Sequence, residues 1–247
     1  MNKTLLVQLK KLKLQEKNNL FLNYFKSNFK TDWKDDYQLN QILIQNKIFK
    51  VSSIEIIQAF VKAKVNVNTQ DIYQQTPLFY THLKEVLTLL VQAGAAVNIK
   101  NKFQFTPLHY SNHPDHTKIL IQLGADVNVK DDVGNTPLFY VKSKEIAEVL
   151  IQAGADVNSK NNFGATPLFD VISKKVAEVL IQADANMSVQ NNKGQTPAEY
   201  HRYYGRDDLA NFMEQKKLEQ ETQLQKNTLN QNLPNTQNSL NNPKIRL

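Results

Sequence analysis

None of the 247 residues is a cysteine, which excludes disulfides, thiolate metal sites and a cysteine nucleophile. Glycine is scarce as well. Of the seven glycines, Gly94, Gly124 and Gly154 keep one register and Gly134, Gly164 and Gly194 another. They serve repeated structural places, and no glycine-rich phosphate loop can be assembled from them. Paired catalytic carboxylates and a nucleophile elbow are also missing, so no enzyme, small-molecule substrate or cofactor is expected. No apolar run approaches the ~18 residues that cross a bilayer, and a soluble rather than transmembrane protein is expected. The opening stretch MNKTLLVQLKKLKLQEK is interrupted by Gln8, Lys10, Lys11 and Lys13, so it does not read as a cleavable signal peptide. The expected location is the cytoplasm, or a host cell reached without such a signal.

Charge is present but uneven. Residues 1–50 hold ten lysines against Glu16, Asp32, Asp35 and Asp36, a balance of +6 out of the net +7. This arm reads first as the solvated face of a capping helix. The other reading is a tether, through residues 1–17, to an anionic membrane surface or to nucleic acid. The rest of the chain is nearly neutral, which disfavours nucleic-acid binding along its length.

The dominant positive feature is Thr-Pro at Thr76, Thr106, Thr136, Thr166 and Thr196, an unbroken interval of 30 residues. A fixed period of this size is the signature of a stacked-repeat solenoid. In the copy beginning at Thr136, Thr136 is placed as an N-cap and Pro137 as the first residue of a short helix reaching about Lys142. Ser143 caps a second helix, Lys144 to Gln152, whose Ile146, Val149, Leu150 and Ala153 form one apolar stripe. Gly154 ends it in the left-handed conformation. Asp156-Val157-Asn158 then leads into an extended finger turning near Asn162-Phe163-Gly164. Leu90, Leu120, Leu150 and Leu180 form one column through the copies. Val67, Val97, Val127, Val157 and Met187 form a second, and Asn68, Asn98, Asn128 and Asn158 a third. Each copy alone has one small apolar face, so the copies must stack to fold.

TPLH at 106–109 and GADVN at 124–128 and 154–158 resemble the ankyrin repeat. The resemblance implies an all-α solenoid of helix–turn–helix–finger units over residues 46–217. The copies fall at 46–75 (degenerate), 76–105, 106–135, 136–165, 166–195 and 196–217, the last serving as a cap. Ankyrin repeats usually run 33 residues, and the internal copies run 30. The three missing residues are expected between the two helices, where the chain reads Val141-Lys142-Ser143; the last copy regains them, with Gly205 in its turn. The wording SKEIAEVLIQAGADVN is similar to ankyrin proteins common in obligately intracellular bacteria, which raises the role of a secreted effector. Residues 1–45 are expected to form a basic helical cap, with Trp33 as packing. Residues 218–247, rich in Asn and Gln, are expected to be a disordered tail.

His109, His113, Asp115 and His116 lie within eight residues and invite a metal reading. His109 belongs to TPLH, whose histidine in ankyrin repeats supports the loop. His113 stands in the turn, and His116 replaces the apolar column of Ile56, Val86, Ile146 and Val176. The three are expected to point apart, with His116 partly buried and uncharged.

Positions that vary between copies carry specificity, because stacking fixes the others. By the resemblance, the finger tips and the exposed side of the first helix face a partner protein. Carried over, this gives Ile72, Tyr73, Lys102, Phe103, Asp132, Asn162 and Phe163 on the fingers. Phe105 and Asn135 precede Thr-Pro, and the exposed side of the first helix includes His82, Asn112, Lys142 and Ile172. Tyr73, Phe103, Phe105 and Phe163 are the candidate anchors. Phe103 and Phe163 read equally well as anchors or as packing against the next finger. The chain is expected to be monomeric.

Overall fold

The computed structural model describes residues 66–231 together with Ile54, Ile57, Gln58 and Val61, with side chains as far as Thr228. The expected N-terminal cap, Trp33, most of the degenerate first copy and residues 232–247 lie outside the described residues. Within them the chain is all-helical. The second helices of successive copies are α1 (Lys84–Gln92), α2 (Pro114–Gln122), α3 (Lys144–Gln152) and α5 (Lys174–Gln182). The first helix is only a 3₁₀ turn in three copies, Pro77–Phe79, Pro107–Tyr110 and Pro137–Tyr140, and one α-turn in the next, α4 (Pro167–Asp170). The last copy has α6 (Pro197–Tyr203) and α7 (Asp207–Gln231). Among the described residues no helix is long and apolar enough to cross a membrane.

The missing three residues are not where the sequence suggested. Three residues link the helices in both repeat lengths: Val141-Lys142-Ser143 in the short copies and Tyr204-Gly205-Arg206 in the last. The deletion is taken from the first helix, which has seven residues in α6 and four in α4. A single turn cannot complete the i→i+4 ladder, and the tighter 3₁₀ form satisfies its few donors. Thr136 accordingly sits in the extended conformation of an N-cap, but its buried hydroxyl has no hydrogen-bond partner, as is also true of Thr166. The longer α6 forms the full cap, with the Thr196 N–H donating to Glu199 Oε2 at 2.7 Å, and so does the turn at Thr106, where His109 takes the place of the glutamate. Ser143 caps α3 as expected, accepting from the Ile146 N–H at 3.3 Å. On α3 the buried residues are Ile146, Ala147 and Leu150, while Val149 is half-buried and Ala153 exposed.

Two leucine columns form the core: Leu78, Leu108, Leu138 and Leu168 from the first turns, and Leu90, Leu120, Leu150 and Leu180 from the second helices. Each is almost wholly buried, a gain of roughly 1.5–3 kcal/mol per side chain that only neighbouring copies can supply. The asparagine column is a hydrogen-bond ladder. Asn98 donates through Nδ2 to the Gly124 carbonyl at 2.9 Å and accepts the Asp126 N–H at 2.8 Å. Asn68, Asn128 and Asn158 repeat this arrangement on Gly94, Gly154 and Asp184. Each asparagine thus satisfies a carbonyl at the end of the next copy's second helix, a group that otherwise lacks a partner. That explains a conserved spacing of polar residues in an otherwise apolar pattern.

The C-terminal segment departs from expectation. Residues 218–231, assigned to the tail, continue α7. Asn and Gln are tolerable helix formers, and Pro234 is the first proline after Pro197. Polar pairs along the exposed face support the helix, including Lys216 with Glu219 at 2.8 Å and Gln223 with Asn227 at 3.0 Å.

Candidate functional site

Each finger is a tight hairpin organised by one acidic or amide side chain. Asp71, Asn101, Asp131, Asn161 and Asn191 each accept two backbone N–H groups through Oδ1, two and four residues onward, at 2.8–3.0 Å. The tip then turns through a positive φ. Gly134 and Gly164 occupy this place, and a Cβ there would meet Asn162 Oδ1 at 2.7 Å and Asn192 Oδ1 at 2.5 Å. In the two preceding fingers the left-handed residue is Gln74 or Gln104. Neighbouring fingers are tied through the backbone: the N–H groups of Lys102, Asn162 and Asn192 donate to the carbonyls of Tyr73, Val133 and Phe163 at 3.0, 3.0 and 2.9 Å. The row of tips is therefore a fixed edge rather than independent loops.

On that edge Ile72, Tyr73, Lys102, Phe103, Asp132, Asn162 and Phe163 are all exposed. Tyr73 is 45%, Phe103 43% and Phe163 61% exposed. Lys102 Nζ lies 4.3 Å from the Tyr73 ring centroid and 4.8 Å from that of Phe103, holding the two rings around one cation. Phe163 has no such neighbour. His82, Asn112, Lys142 and Ile172 are exposed, but they lie in the links after the first turns and not on the first helix itself.

Two candidate positions behave differently. Phe105 is half-buried, with its ring 5.3 Å from His109, 5.5 Å from Tyr110 and 5.3 Å from Tyr140 in edge-on contacts. It wedges two copies together and is not an open anchor, because the tyrosines of both first turns close over it. Asn135 is half-buried too: its Nδ2 donates to Tyr140 Oη at 3.0 Å and its Oδ1 accepts from Asn161 Nδ2 at 2.9 Å.

The histidines separate. The Thr106 N–H donates to His109 Nδ1 at 3.0 Å, which leaves Nε2 to donate to the Asn135 carbonyl at 3.3 Å. His109 thus ties the first turn of its copy to the finger at that copy's end as a neutral ring, and burial holds its pKa below the ordinary value. His113 caps α2, accepting the Asp115 N–H through Nδ1 at 3.3 Å. His116 is only 3% exposed; its Nδ1 is 3.0 Å from Ser111 Oγ and its ring is 4.8 Å from that of His82. Burial first, then the neighbouring His82, pushes its pKa down to about 4. Among the described residues no cluster of three or more His, Asp or Glu is placed to hold a metal ion.

One feature of this face escaped the sequence reading. The fifth residue of the first turn is tyrosine in Tyr80, Tyr110, Tyr140 and Tyr200 but aspartate at Asp170. Tyr80 and Tyr140 donate their hydroxyls to the finger carboxylates Asp71 and Asp131, sealing the angle between finger and helix. At Asp170 no such seal forms. A cleft of about 380 Å³ opens there, walled by Phe163, Phe169, Tyr200 and Tyr204. The signal was available as the single break in a tyrosine column.

A family model for ankyrin repeats, in three copies, matches residues 43–131, 80–161 and 110–191, which together cover more than half of the chain. No curated protein sequence matches it significantly.

Proposed function

The chain belongs to the ankyrin-repeat family, whose repeats serve protein–protein interaction, and on that premise we propose that it binds a partner protein through its finger tips and first turns. The module acts without catalysis and as a monomer. The observation that carries this reading is the fixed row of exposed aromatics, Tyr73, Phe103 and Phe163, on fingers already tied to one another. Large rigid rings held on a rigid edge lose little entropy on binding, and a few such residues dominate affinity in most interfaces.

The test compares the intact chain with a Tyr73→Ala, Phe103→Ala double variant in pull-downs from bacterial and host-cell lysates. A protein retained only by the intact chain, with unfolding almost unchanged in the variant, supports the finger face. Equal retention, or a large fall in melting temperature, sinks it. The similarity of the short repeats to those of intracellular bacteria supports, as a further part of this reading, an effector delivered into a host; a translocation reporter fused to the full chain checks it. The basic arm supports the alternative of a membrane-tethered adaptor. That reading requires vesicle binding that vanishes on deletion of residues 1–17 and weakens steeply with salt.

A further inference from the structure

The cleft at Asp170 has a chemistry that the rest of the face lacks. Its lining is aromatic: Phe169, itself only 1% exposed at the base, and the half-buried Tyr200 have centroids 5.5 Å apart at 69°, and Tyr200 and the exposed Tyr204 are 4.8 Å apart at 58°. Phe163 closes the finger side and stands mostly exposed at the rim. Asp170 remains open to solvent at the mouth, yet enough protein surrounds its carboxyl that desolvation raises its pKa, against a smaller opposing pull from Arg206. Among the described residues its carboxylate makes no hydrogen bond and no ion pair. Among the described residues no cation takes the place. Arg206 is directed to His201, with its Nη1 3.5 Å from Nδ1. Lys193 lines the cleft without pairing with Asp170.

The other copies show how unusual this is. In two of them the acid belongs to the finger and a tyrosine hydroxyl from the first turn covers it, as Tyr80 does for Asp71 and Tyr140 for Asp131, and where the finger residue is Asn101 its Nδ2 donates to the Tyr110 hydroxyl at 3.3 Å. In this copy the finger residue is the neutral Asn161, which turns to Asn135, and the carboxylate has moved to the helix side with no cover. A partly desolvated carboxylate beside aromatic rings favours one kind of guest. An apolar or anionic group would leave the charge unpaired, whereas a cation meets both the carboxylate and the rings. The volume suits the end of one long side chain with its water.

We propose that the cleft formed by Phe163, Phe169, Tyr200 and Tyr204 around the Asp170 carboxylate receives one basic side chain, lysine or arginine, of a partner polypeptide. The proposal rests on the protein-binding reading of this face and adds its specificity: the partner presents a protruding cation to the fifth copy.

The test is a two-dimensional NMR titration of the full chain with n-butylammonium, n-butylguanidinium and uncharged n-butanol at matched ionic strength. Saturable shifts of the Asn192, Lys193 and Tyr200 amides are expected with the cations and not with butanol. The stronger of the two cations distinguishes lysine from arginine as the guest. Asp170→Asn keeps the size and shape of the side chain and should weaken the response by about tenfold. Asp170→Tyr, which restores the residue of the other copies, should abolish it; unchanged resonances elsewhere confirm that both variants fold. Equal responses to butanol and butylammonium, or an undiminished response in Asp170→Asn, overturn the proposal. If the cations fail while a partner is still lost on Tyr73→Ala with Phe103→Ala, the cleft falls and the finger reading stands. If the cations bind but that double variant retains every partner, the cleft stands and the finger tips fall.

Discussion

Acid should loosen the stack through His116, and replacing that histidine with isoleucine should remove the effect. The site belongs to a column that is otherwise Val86, Ile146 and Val176, and each of these is as deeply buried as His116. In the folded chain the imidazole titrates at about 4, against 6.5 for an exposed one, because burial and the neighbouring His82 and His113 all disfavour its charge. Above pH 6.5 both the folded and unfolded chains hold a neutral ring, and protonation costs nothing, although the buried Nε2 has no hydrogen-bond partner among the described residues. Below it the unfolded chain takes up a proton that the folded chain cannot, so stability falls until the folded site titrates as well. The full difference is about 3 kcal/mol, and about 2 kcal/mol of it is lost by pH 5, before most carboxylates protonate. Urea unfolding of the parent and of His116→Ile at pH 7 and pH 5 measures this directly. The variant should match or exceed the parent at pH 7, since Ser111 keeps its 2.7 Å hydrogen bond to Thr117. It should lack about 2 kcal/mol of the parent's acid sensitivity. Burial also lowers the pKa of His109 and His201. Both remain in the two proteins, so their contribution cancels in the comparison. Equal losses in parent and variant, or a His116 proton resonance that titrates near the ordinary value, would refute the reasoning.

Two further outcomes follow from the ladder and its end. Asp184 holds the left-handed place filled by glycine in the other copies, with φ of 63°, and puts a negative charge at the negative end of α5. Asp184→Gly should raise stability by about 1 kcal/mol in urea unfolding while Asp184→Ala stays near neutral, since only glycine relieves the backbone; equal effects would contradict this. Asn128→Ala removes both hydrogen bonds to the next copy, 3.0 Å to the Gly154 carbonyl and 2.8 Å from the Asp156 N–H, and should cost about 1–2 kcal/mol by the same measurement.

What could be read from the sequence and what could not divide along one physical line. A stacked array repeats its constraints, so residues bound by stacking recur every 30 positions and announce themselves. The leucine column of the second helices, the asparagine column, the glycine that ends most second helices and the exposed finger tips were legible for this reason. Ser143 and the bounds of α3 were legible locally, because a cap and an apolar stripe need only one copy to be seen. The first helix was misread because its length depends on how much chain remains once the finger and second helix are placed. Four residues can close one turn, and nothing in Pro137-Leu138-Phe139-Tyr140 separates a 3₁₀ turn from the start of an α-helix. Phe105 was misread because its burial depends on Tyr110 and Tyr140, two rings from different copies that converge only in three dimensions.

Asp170 exposes the limit of reading by periodicity. A repeat search rewards agreement, and the informative residue is the one that disagrees. At Tyr80 and Tyr140, two of the four tyrosines at this place, the hydroxyl donates to a finger carboxylate, and that bond occupies both groups. An aspartate cannot donate when ionised, and its finger neighbour, Asn161, is already committed to two backbone N–H groups and to Asn135. The break therefore leaves an acceptor with no donor among the described residues, at a point of the edge where the finger also carries an exposed phenylalanine. Scaffold positions in such an array are recognised by what they share; a binding position is recognised by the partner that its own chain fails to provide.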